Sequence, residues 1–196
     1  MKPRVLSRRF YARDTAAVAR ELLGKKLIRR RGGEILVGII VETEAYYGVD
    51  DPASRAYRGR KRYNAAMFGK PGRLFVYNVH RYWMLNLVAH EAGKVGAVLI
   101  RAIEPVLGVD VMRAARPVDE DAELTSGPGK LTVALGIDKS LNGIKVTDET
   151  RPVHVLENSL AFEMGRSGRI GVTKDLPEEL RFYVQGNKFV SRKRRA

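Results

Sequence analysis

A chain of 196 residues with 44% hydrophobic side chains can bury one sizeable core, so a single domain over residues 1–196 is expected and global disorder is excluded. Its 36 Lys and Arg against 22 Asp and Glu leave a net charge of +14. That one-sided excess points to a polyanionic partner, nucleic acid before membrane, because surface ion-pair networks need both signs. The absence of cysteine excludes disulfides, a thiol nucleophile and thiolate metal sites.

No apolar run is long enough to span a bilayer and the first ten residues lack the apolar centre of a signal peptide, so a soluble intracellular protein is the expectation. In chain order, "ARDTAAVARELLGKK" predicts a helix with Asp14 or Thr15 at its N-cap and Gly24 at its C-terminal end. "KLIRRRGGEILVGIIVETEAY" predicts a hairpin turning at Gly32-Gly33, with Ile35, Val37, Ile39 and Val41 alternating along its second strand. Residues 47–73 form a long polar and basic connection with a short helical candidate near Asn64 to Phe68; connections of this length are more often functional than structural. "FVYNVHRYWMLN", residues 75–86, predicts a second hairpin with a polar turn. Beyond it come a buried strand in "GAVLIRAIEP", a helix near Val109 to Arg116, a helix after "SGPGK", and short strands at residues 153–156, 169–173 and 180–184. Strands in hairpin order mixed with helices predict an α+β fold, a mainly antiparallel or mixed sheet with surrounding helices and a protruding hairpin. A basic tail, residues 192–196, closes the chain.

Four features bear on chemistry. Glu42 and Glu44 lie two apart at the end of an apolar strand, so both carboxylates project to one side, and Glu44 stands out because Tyr46 shares that side. A carboxylate beside flat aromatic faces can bind a ring and activate a water. Arg101 places a permanent charge in an otherwise buried run, which requires an acid such as Glu104 or a bound anion. "SGPGK" is too short for a phosphate-binding P-loop and lacks the serine or threonine after its lysine. His80, His90 and His154 show no metal-ligand spacing.

The ordered set "VETEAYYGVDDPAS", "NAAMFGKPGRLFVY", "LIRAIEP", "SGPGKLTVALGI" and "LRFYVQGNKFVS" resembles the 3-methyladenine DNA glycosylase family, alkyladenine type, from about Phe10 to Ser191. The resemblance implies an enzyme that flips a damaged purine out of duplex DNA and hydrolyses its N-glycosidic bond without metal or organic cofactor. It implies Glu44 as general base, with Arg101 and the carbonyl of Val172 holding the water. It puts Tyr46 and Tyr77 on the two sides of the flipped base and Asn86 where it crowds a purine 2-amino group. Arg55 stands where the family has a histidine, in the pocket wall, and so bears on substrate range. His80, Arg81 and Tyr82 replace the family's tyrosine-glycine-methionine tip; His80 falls on the position that wedges into the duplex, with Arg81 and Tyr82 as alternatives. Arg60, Arg62 and Lys130 are the expected DNA contacts. The implied partner is double-stranded DNA with damaged purines, the implied state a monomer without obligate protein partner or membrane. Location follows the DNA: cytoplasmic at the nucleoid in a prokaryote, nuclear in a eukaryote. A non-catalytic nucleic-acid-binding protein, or an RNA-directed relative of the same fold, would keep the basic face without turnover.

Overall fold

The computed structural model describes residues 3–191, so the basic tail lies outside the described residues. Two helices, α1 (Arg8–Tyr11) and α2 (Thr15–Leu22), open the chain. Asp14 caps α2, its carboxylate accepting from the Ala17 N–H at 2.8 Å, and Gly24 follows the helix at φ 77°. The first turn, α1, carries no periodic signal of its own and was not anticipated.

Strands β1 (Lys26–Arg31) and β2 (Glu34–Tyr46) pair antiparallel around Gly32-Gly33. Both glycines have positive φ, 57° and 87°, the backbone that a two-residue turn between right-twisted strands demands. After residues 47–73, interrupted by one 3₁₀ turn at Ala65–Phe68, β3 (Leu74–Val79) and β4 (Tyr82–Val88) form the second hairpin with His80-Arg81 as the turn. β5 (Ala97–Leu107), α3 (Val109–Ala115) and α4 (Pro128–Leu135) follow, then β6 (Val153–Leu156), β7 (Met164–Ser167) and β8 (Arg181–Val184).

All strand pairings are antiparallel, in the order β3-β4-β5-β2-β1-β6, with β8 joining β2 beyond β1 and β7 pairing β8. The fold is α+β. Leu22, Leu36, Ile40, Leu87, Ile100, Ile103, Leu131 and Leu135 belong to one fully buried cluster joining the sheet to α2 and α4. A second, smaller cluster, Ala56, Met67, Phe75, Val88 and Ala97, lies beneath Tyr46 and Tyr77.

The strand expected at residues 169–173 is not formed; the strand of that region is β7, and 168–173 is irregular. Its backbone has other partners. The Arg169 N–H goes to Asp175 at 3.1 Å and the Ile170 N–H to Glu44 at 2.7 Å, so carboxylates take the donors that a ladder would have used.

Candidate active site

The site is built where β2, at the middle of the sheet, meets β5 and β8. Two compensating register shifts flank Glu42, skipping Val41 on β2 and Arg101 on β5. Such irregularities re-aim side chains. Here Arg101 reaches both carboxylates: its Nε donates to Glu42 at 2.9 Å and its Nη1 to Glu44 at 3.1 Å, with both acids fully buried. Glu104, an anticipated partner of Arg101, is instead bonded to Asn187.

The two acids differ in how they are satisfied. An ionised carboxylate offers about four lone-pair sites. Glu42 accepts four donors, Arg101, Arg181 Nε at 2.7 Å and the Ser191 hydroxyl at 2.7 Å on one oxygen and the Ser191 N–H at 2.7 Å on the other. Glu44 accepts from the Ile170 N–H, from Arg101 and from the Tyr46 hydroxyl at 2.7 Å, leaving room for one more donor. Burial and the Glu44 carboxylate push the Tyr46 phenol well above its ordinary range, so it stays protonated and donates. Burial opposes the charge on Arg101, but Glu44 and Glu42 outweigh it and raise its pKa.

Next to this pair is a narrow slot lined by Tyr46, Arg55, Met67, Phe75, Tyr77, Asn86 and Ala97, with a volume of about 10 Å³. That is space for at most one water. The ring of Tyr77 stacks on Phe75, centroids 4.9 Å apart at 26°, and the Arg55 guanidinium stands 4.9 Å from its centroid. Behind Tyr46, the Arg169 guanidinium lies 4.5 Å from the ring centroid. Asn86 donates through Nδ2 to the carbonyls of Phe75 (3.1 Å) and Met84 (3.3 Å), an arrangement that leaves its oxygen as the free, accepting end.

Two buried polar residues hold the long connection that carries Arg55. Asp51 accepts from the N–H groups of Tyr47 and Ala53 and pairs with Arg169 through both oxygens at 2.7 Å. Asn64 donates to the carbonyls of Arg55 and Gly59 and accepts from Lys61 N–H. Asp51 and Asp175 together overcome burial and raise the pKa of Arg169.

Of the anticipated residues, Glu44, Arg101 and Tyr46 form one bonded chain, and Tyr46, Arg55, Tyr77 and Asn86 line one slot. Val172 sits half-buried in the irregular segment beside Ile170. His80, Arg81 and Tyr82 are exposed at the tip of the β3–β4 hairpin, but not equally free. Tyr82 packs against α4, where a Cβ on Gly129 would meet its Cγ at 2.8 Å, so only glycine permits the approach; the Arg81 guanidinium stands 5.2 Å from the ring centroid. Arg60 and Arg62 are exposed, whereas Lys130 is ion-paired to Glu123. Arg169, Arg181, Ser191 and Asp51 were missed. Asp51 and Arg169 are 118 positions apart, and no local pattern joins them. Among the described residues, no three His, Asp or Glu side chains are grouped to hold a metal ion, and no helix is long and apolar enough to cross a membrane.

Residues 9–188 match the family described as Methylpurine-DNA glycosylase. A protein of Aeropyrum pernix named "Putative 3-methyladenine DNA glycosylase" is 44% identical over 194 residues, covering 97% of this chain and 95% of its own. Proteins of the same name from Carboxydothermus hydrogenoformans and Methanoculleus marisnigri are 44% and 42% identical, covering 96% and 94% of this chain and 100% and 97% of theirs.

Proposed function

Because the chain belongs to the methylpurine-DNA glycosylase family and is therefore a DNA-repair glycosylase, we propose that it extrudes a damaged purine from duplex DNA into the slot between Tyr46 and Tyr77 and cleaves its N-glycosidic bond with water activated by Glu44. The accepted lesions are alkylated adenines, with hypoxanthine and etheno-adenine as further candidates. The observation that carries this reading is the hydrogen bond from the Tyr46 hydroxyl, a wall of the slot, to buried Glu44, which accepts three donors where neighbouring Glu42 accepts four.

The steps follow from the groups present. Flat rings on either side suit an extruded base. Glu44 is oriented by three donors, and it accepts a proton from water as oxygen attacks the sugar carbon and the bond to the purine nitrogen breaks. Arg101 and the Val172 carbonyl position that water. A purine alkylated on a ring nitrogen leaves as a neutral base, so one carboxylate suffices where sugar hydrolases use two. Asn86 meets the purine edge. The hairpin fills the gap left in the duplex, and His80 is the tip residue free to do so, since Tyr82 is committed to α4. Arg60 and Arg62 bind phosphate, and the protein acts as a monomer.

The test is a duplex carrying a single hypoxanthine or methylated purine, incubated with the protein and cleaved by alkali at abasic sites. Strand cleavage at the lesion is expected, with Glu44→Gln losing it by about 100- to 10,000-fold while still binding the duplex. Absence of abasic product from every lesion in a folded sample would leave a nucleic-acid-binding protein without turnover.

A further inference from the structure

We propose that Arg55 is a displaceable plug of the base slot, and that its charge selects uncharged purine lesions over cationic ones. The inference rests on the slot being the seat of the extruded base. It begins with the faces of the two tyrosines. Phe75 is stacked on Tyr77 and the Arg55 guanidinium stands over that ring, at 4.9 Å from the centroid. One face of Tyr46 is occupied by Arg169, which Asp51 and Asp175 lock in place. A base entering between the tyrosines must therefore take the position that Arg55 holds. The volume agrees: about 10 Å³ remain, against roughly 300 Å³ or more for an ordinary ligand pocket.

Arg55 is built to move without carrying the loop with it. Its carbonyl is fixed by Asn64 at 2.7 Å, but its side chain is exposed and has no carboxylate partner among the described residues. What holds the guanidinium is the Tyr77 ring. On its outer side lies an open basin of about 450 Å³ lined also by Arg58, Lys61 and Lys174. The three cations of that basin offer the displaced guanidinium no counter-charge, so it stays unmatched at the rim of the slot when a base enters.

Selectivity follows from the charge count. Every other guanidinium around the site is matched: Arg101 by Glu42 and Glu44, Arg181 by Glu42, Arg169 by Asp51 and Asp175. Arg55 alone is unmatched there. A purine methylated on a ring nitrogen brings a positive charge to within a few ångströms of it, whereas hypoxanthine brings none.

The experiment compares Arg55→Met, which keeps the length and drops the charge, with Arg55→Lys, which keeps the charge. Single-turnover excision and duplex affinity are measured for one 3-methyladenine and one hypoxanthine duplex. Arg55→Met should raise the cationic-to-neutral ratio of rates about tenfold, the effect of one partly screened like charge, and Arg55→Lys should stay near the parent. A ratio within twofold of the parent for Arg55→Met overturns the proposal. If the parent excises neither base, the glycosylase reading fails instead, and the ratio of dissociation constants decides the plug by the same two outcomes.

Discussion

Glu42 and Glu44 are the same residue type, two positions apart on one strand, and the difference between them is a matter of counting donors. Glu42 holds four donors, from two arginines and Ser191; its charge is part of the scaffold. Breaking a buried ion pair by removing one partner costs about 3–5 kcal/mol, because the partners are left uncompensated. Glu42→Gln should therefore lower the melting temperature by roughly 6 °C or more, at 2–4 °C per kcal/mol for a chain of this size. Glu44→Gln leaves Arg101 paired with Glu42, so its melting temperature should fall much less while its excision rate collapses. Thermal denaturation of the two variants in parallel checks the contrast. Equal thermal losses would mean that Glu44 is as structural as Glu42 and that the spare lone pair has no special use. In the sequence both acids were visible and Glu44 could be favoured for its tyrosine, but the partners that hold Glu42 come from residues 181 and 191, beyond the reach of any spacing argument.

The β3–β4 hairpin joins two functions in one element. Its body brings Tyr77 and Asn86 to the slot, and its turn carries His80 at φ 52°, alone among the described non-glycine residues in having positive φ. A side chain in that region costs about 1–2 kcal/mol. Glycine would remove the strain at an entropic cost of about 0.5–1 kcal/mol in the unfolded chain, so His80→Gly should hold or raise the melting temperature. If the histidine ring fills the gap behind an extruded nucleotide, the same variant should lose excision from a duplex while keeping excision from a single strand carrying the same lesion. A parallel loss on both substrates would assign the effect to the slot and not to the tip. The hairpin was legible because two runs rich in aromatic and branched residues flank a polar turn. The segment at 169–173 misled for the opposite reason: "RIGVT" has strand composition, but its donors are claimed by Glu44 and Asp175, which are distant in sequence or belong to a loop.

Across the whole molecule the net charge of +14 overstates what DNA can use. Arg29, Arg101, Arg169 and Arg181 are buried and bonded to carbonyls or carboxylates inside the fold, and Lys130 is paired with Glu123. Composition could announce a polyanion partner, but it could not separate internal cations from external ones, because that depends on partners brought together by the sheet. The exposed set nearest the slot is Arg58, Arg60, Lys61 and Arg62, on the connection pinned by Asn64. Each phosphate contact releases counterions and adds about 0.9 to the slope of log affinity against log salt. If Arg60 and Arg62 both touch phosphate, changing the pair to alanine should make the slope shallower by about 2, with affinity for damaged and undamaged duplexes falling alike. Excision at saturating enzyme should not change, since neither side chain lines the slot. An unaltered slope would move the DNA path off this connection.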